Sequence, residues 1–76
     1  MPHIIVKLWP GRTEWQKKQI TGKIVEAVID TISVSKDSIS VSIEEVPADN
    51  WAEEVYKPDI IGKKHLLYKK PGYDCK

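Results

Sequence analysis

Between His3 and Trp9 the side chains alternate, with Ile4, Val6 and Leu8 on one face and His3, Ile5, Lys7 and Trp9 on the other. A period of two in β-branched and aromatic residues predicts a strand, and Pro10-Gly11 closes it with a turn. The period then changes. Thr13-Glu14-Trp15-Gln16 has the form of a capping box, a hydroxyl followed three residues on by an amide. Behind it Ile20, Ile24, Val28 and Ile32 sit four apart, widened by Val25, Ala27 and Ile29, while Lys17, Lys18, Lys23, Glu26 and Asp30 occupy most of the remainder. This predicts an amphipathic helix of about five turns that lays one side on a sheet. Gly22 within it costs about 1 kcal/mol relative to alanine, which a packed helix tolerates. Ser33 to Asp37 reads as a connection, after which Ile39, Val41 and Ile43 alternate with Ser40, Ser42 and Glu44 as a second strand.

Strand, helix and strand within about forty residues predict a β-α-β unit with parallel strands and a right-handed crossover. The fold class is therefore α/β. Two strands do not make a stable sheet, so the C-terminal third or another subunit must extend it. Pro47 breaks the second strand, and Asp49 or Asn50 is positioned to cap a short turn through Trp51 to Val55. After Lys57-Pro58, the spacing of Ile60, Ile61, Leu66 and Leu67 predicts a short helix between Asp59 and Lys70, weakened by Gly62 and ended by Pro71-Gly72. Tyr73 to Lys76 either frays or pairs across an interface.

Length bounds what these elements can build. Area scaling for 76 residues predicts a folded surface of about 4,700 Å², a marginal core that points to one domain over residues 1–76 and favours oligomerisation. No apolar run approaches the roughly 18 residues of a membrane helix, and no signal peptide opens the chain, so the expected location is the cytoplasm. The lone Cys75 has no intramolecular disulfide partner, and zinc-type spacing is absent. Residues 1–56 carry six Lys/Arg against nine Asp/Glu, while residues 57–76 carry six Lys against two Asp. The basic end, Lys63 to Lys70 above all, reads as a solvated face or as a site for an anion or acidic partner. A near-neutral total and an acidic first two thirds argue against nucleic acid as a partner.

Conventional catalytic constellations are missing, since His3 and His65 have no carboxylate or cysteine at ligand spacing and no phosphate-binding glycine loop occurs. No metal or cofactor is expected. Pro2 is the remaining feature. Its small neighbour-side profile favours removal of Met1, which would leave a secondary amine at the start of a strand. Such an amine accepts a proton when neutral, and desolvation or nearby cations lower its pKa toward neutrality. Alone, a second-position proline means little, since many chains have one that merely begins a strand.

Its company adds to that. Pro2-His3-Ile4 opens the first strand, Pro10-Gly11-Arg12 ends it, Gln16-Lys17 lies in the first helical turn, and Trp51 follows the second strand. Together with Ser35-Lys36-Asp37-Ser38 and Lys69-Lys70-Pro71-Gly72-Tyr73, this order resembles the 4-oxalocrotonate tautomerase family, nearest its PptA branch, over essentially the whole chain. The resemblance implies a cofactor-independent tautomerase acting on a small carboxylate-bearing enol or 2-oxo acid. It implies Pro2 as the base that shuttles a proton between oxygen and carbon. Arg12 falls where the family holds a substrate carboxylate, a task suited to the guanidinium fork. Trp51 falls where the prototype has a phenylalanine that keeps the amine dry. The family implies dimers or hexamers, and the longer PptA-like tail favours a homodimer.

One position departs from the family. The prototype has a second arginine on the second strand where this chain has Ser40. Either another cation substitutes, with the Lys63–Lys70 segment a candidate, or the substrate differs from the prototype's dicarboxylate. Two other readings stand beside the tautomerase: a dehalogenase or decarboxylase of small acids on the same fold, and a non-catalytic oligomeric module whose basic tail binds an acidic partner. If Met1 stays, the Pro2 nitrogen is an amide and the chemistry is lost.

Overall fold

A computed structural model describes residues 1–75; Lys76, part of the anticipated terminal segment, lies outside the described residues. The chain divides into two compact units, Met1–Glu45 and the residues from Val46 on.

The first unit is a β-α-β unit. Strand β1 (His3–Leu8) and strand β2 (Ser40–Glu45) run parallel, flanking helix α1 (Glu14–Ile32) in the chain. The register pairs His3 with Ser40, Ile4 with Val41, Ile5 with Ser42, Val6 with Ile43 and Lys7 with Glu44. Lateral partners in a parallel pair share a face, so the half-buried Ile4, Val6, Val41 and Ile43 line one side and the polar row lines the other. The capping box is present in full: the Thr13 hydroxyl accepts from the Gln16 amide at 3.1 Å and the Gln16 side chain accepts from the Thr13 amide at 3.0 Å. Lys17 ties the first turn of α1 to the far end of β2, 3.2 Å from Glu45 and 3.5 Å from Glu14. These carboxylates hold the Lys17 ammonium above its ordinary pKa, the Glu45 hydrogen bond contributing most.

Helix α1 ends at Ser33 in the left-handed conformation (φ 54°), its amide donating to Ile29 at 3.0 Å. A single 3₁₀ turn, Lys36–Ser38, then leads into β2, with the Ser35 hydroxyl capping the Asp37 amide at 3.2 Å. The apolar stripe of α1 is narrower than its periodicity predicts. Ile24, Val25, Val28 and Ile29 are half-buried, but Ile20 is 40% and Ile32 57% exposed. No residue of Met1–Glu45 is fully buried.

The buried side chains, Val46, Val55 and Tyr56, all belong to the second unit. Helix α2 (Ala48–Trp51) passes directly into π-helical winding over Ala52–Ile61. Its start differs from the sequence expectation. Pro47, not Asp49 or Asn50, occupies the N-cap, and both polar residues lie in the helix. Its end differs too, because the helix runs through Pro58 and stops at Gly62. In an α-helix the Pro58 ring would strike the carbonyl four residues back; the wider π winding relieves that crowding. The Gly62 amide closes the segment on the Lys57 carbonyl, five residues back, at 2.8 Å. A Cβ at Gly62 would stand 2.7 Å from the Pro58 carbonyl oxygen, so the turn needs glycine. Beyond it only the 3₁₀ turn Lys64–Leu66 remains of the helix expected over 59–70. The described residues after Leu66 add no strand, so the C-terminal third does not extend the sheet, which has two strands. Among the described residues, no helix is long and apolar enough to cross a membrane.

Candidate active site

Pro2 stands at the entry to β1, half-buried, and its carbonyl accepts a hydrogen bond from the Ser40 amide at 3.1 Å. Met1 beyond it is fully exposed. One residue further, His3 Nδ1 lies 2.7 Å from Ser40 Oγ, on the polar face of the sheet. Pro2, His3 and Ser40 thus form one cluster at the N-terminal end of the strands. In the sequence His3 has no carboxylate or cysteine at ligand spacing, and Ser40 stands where the family prototype has an arginine. Their pairing spans 37 positions and becomes visible only once the strand register is known. No local motif signals it.

Arg12 lies at the opposite end. It follows Gly11, whose φ of +116° is open to glycine and strained for other residues, and it precedes the N-cap Thr13. Its side chain is exposed and makes no hydrogen bond or ion pair with the described residues. A guanidinium without a partner among the described residues is available to a carboxylate. A six-residue strand spans about 20 Å, so β1 separates Arg12 from the Pro2 of its own chain.

Trp51 belongs to the second unit. Its indole N–H donates to the Tyr73 hydroxyl at 3.0 Å, and Tyr73 packs on Tyr56 with ring centroids 5.8 Å apart. The Tyr56 hydroxyl donates in turn to Asp74 at 3.1 Å. Burial, reinforced by that carboxylate, pushes the Tyr56 phenol above its ordinary pKa. This network explains how the terminal segment is held, and the sequence offered no sign of it beyond the aromatics themselves. In the basic stretch, Lys63 faces Asp59 at 3.8 Å, while Lys64 and Lys70 border a small cavity of about 170 Å³ with Tyr56, Ile60 and Tyr73. Among the described residues no three His, Cys, Asp or Glu side chains gather as a metal site.

Known proteins resemble this chain. The Tautomerase enzyme family model matches residues 2–56. A probable tautomerase of Xylella fastidiosa (strain 9a5c) is 37% identical over 73 residues, covering 96% of this chain and 89% of that protein. The tautomerase PptA of Pectobacterium carotovorum subsp. carotovorum is 42% identical over 76 residues, covering 96% of this chain and 97% of its own. Among solved structures, a 4-oxalocrotonate tautomerase isozyme of Methylibium petroleiphilum superposes with a TM-score of 0.62 at 35% identity, covering 63% of this chain and 75% of that one. Parallel strands, the long intervening helix, a family match that includes Pro2 and near full-length likeness to two tautomerases lead to one conclusion: the chain belongs to the tautomerase family, enzymes that are isomerases.

Proposed function

We propose that the protein is a cofactor-independent tautomerase that interconverts the enol and keto forms of small 2-oxo acids, with Pro2 as its base once Met1 is removed. The observation that carries this reading is the place of Pro2, which lies inside the family match and is fastened to β2 through its carbonyl with its nitrogen uninvolved in the ladder. The exposed Met1 is open to removal. The neutral amine then takes the enol hydroxyl proton; the oxygen's electron pair becomes the carbonyl π bond, and the C=C pair takes a proton from the prolinium at carbon. Arg12 holds the substrate carboxylate by paired hydrogen bonds. Trp51, its indole fixed by Tyr73, is the residue we assign to shielding the amine from water.

Family membership implies a small-molecule substrate and an oligomer. We infer a homodimer from the long C-terminal segment shared with PptA-type relatives. Oligomerisation also answers the 20 Å problem: the arginine that serves a given Pro2 comes from another copy. The chain acts as a single functional domain, and its lone free cysteine suits a reducing compartment, the cytoplasm.

The test is ultraviolet-monitored ketonisation of phenylenolpyruvate by the mature protein and by Pro2→Ala, with intact mass confirming that Met1 is gone. Loss of the base is expected to lower kcat by about 10² to 10⁴-fold. Equal rates in the two proteins would overturn the assignment of Pro2.

A further inference from the structure

The cluster beside Pro2 supplies what the missing arginine would otherwise supply. As the enol proton leaves, negative charge develops on the substrate oxygen, and a fixed donor aimed at that oxygen stabilises the transition state more than the ground state. At the Pro2 end of the sheet the register brings together two polar side chains, His3 and Ser40, on the same face and within one residue of Pro2. Lys36, the cation of the preceding turn, instead lines the cavity along α1 with Lys23 and Ile29. Arg12 is a strand's length away.

We propose that the His3–Ser40 couple is the donor that holds the reacting oxygen of the substrate beside Pro2, with Ser40 as the contacting group and His3 as the positioning residue. This rests on the tautomerase reading. A serine hydroxyl has one hydrogen and two acceptor sites. When His3 Nδ1–H donates to Ser40 Oγ, the serine hydrogen is left for the substrate. The 2.7 Å separation sits at the short end for an N–H···O bond, and accepting such a bond strengthens the hydroxyl as a donor. The backbone fixes the geometry from the other side, because the Ser40 amide is committed to the Pro2 carbonyl. Base and donor are thus set by one pair of strands, with no long flexible cation between them. A neutral couple of this kind holds one oxygen; it does not offer the bidentate grip that an arginine offers a second carboxylate.

Kinetics and nuclear magnetic resonance together decide it. Steady-state ketonisation of phenylenolpyruvate is measured for Ser40→Ala, His3→Leu and the double variant, and for the conservative Ser40→Thr and His3→Asn. Circular dichroism and mass verify folding and Met1 removal. Removing an oxyanion donor typically lowers kcat by 10² to 10³-fold, so Ser40→Ala is expected to fall by about 10² with little change in KM. His3→Leu should fall by about tenfold, and the double variant should be no worse than Ser40→Ala, since coupled residues are not additive. Ser40→Thr and His3→Asn, which keep a hydroxyl and a side-chain amide, should recover most of the rate. Long-range ¹⁵N–¹H spectra of the free protein should show His3 carrying its proton on Nδ1, shifting to Nε2 in Ser40→Ala. Unchanged kcat in Ser40→Ala, strictly additive losses, or His3 protonated on Nε2 from the outset would each overturn the couple. Losses in these variants with Pro2→Ala fully active would instead overturn Pro2 and leave the couple standing. No ketonisation by the parent protein would overturn both.

Discussion

The two units of this chain are stabilised in opposite ways. Met1–Glu45 obeys local rules almost everywhere, with alternating strands, a complete capping box, a serine-capped 3₁₀ turn and matched cross-strand pairs, yet none of its residues is fully buried. The unit from Val46 on breaks local rules, winding a π-helix through a proline, yet it contains Val46, Val55 and Tyr56 as a buried nucleus and binds its own tail through Trp51, Tyr56 and Tyr73. Good local sequence is therefore no substitute for cover. Ile5, Trp9, Trp15 and Ile32 are each more than half exposed in the first unit. Association between copies, which family membership implies, would supply cover of that kind.

The largest test of that contrast is dilution. If folding of the β-α-β unit is linked to association, a hundredfold dilution should cost about 2.7 kcal/mol by mass action. Hydrogen exchange would then quicken most in β1, α1 and β2. A denaturation midpoint independent of concentration would mean that the first unit stands by itself. A somewhat smaller effect is expected from Gly62→Ala, where the new Cβ must displace backbone. Crowding of that kind costs about 1–3 kcal/mol, read as a lower melting temperature with α1 exchange unaltered. An unchanged melting temperature would show that the π segment gives way freely.

The smallest effect is a pH dependence at the alkaline end. The Tyr56 phenol is raised by burial and by Asp74, so the folded state holds its proton more tightly than the unfolded chain does. That stabilisation is complete below the ordinary tyrosine pKa of about 10 and is lost as pH rises through the elevated folded value. The raised Lys17 acts in the same sense, its ion pairs holding until the ammonium deprotonates. Tyr56→Phe should flatten the part of the decline that comes from the second unit, as measured by melting temperature against pH. A decline identical in both proteins would assign it elsewhere.

Legibility followed the same division. Strand β1, the start of α1, the parallel pairing and the turn at Pro10-Gly11 were all readable, because each depends on contacts a few residues apart or on a simple period. The helix after Pro47 was misplaced for a physical reason: Lys57-Pro58 signals a stop to any α-helical rule, and the π winding that accommodates it has no periodic signature. Asp49 and Asn50 are good capping residues that a proline displaced. Within the candidate site, Pro2, Arg12 and Trp51 are named from family likeness alone. The His3–Ser40 contact was not legible, since it depends on register across 37 residues.

The carbonyl-only attachment of Pro2 has a practical side. Proline lacks an amide hydrogen, and at most positions in a sheet that is a defect; here the ladder asks this residue for an acceptor and nothing else. The strand is therefore indifferent to which cyclic imino acid stands there. Chemical ligation of a short amino-terminal peptide could install fluorinated, ring-contracted or isotope-labelled prolines, grading the basicity of one nitrogen while the scaffold stays constant.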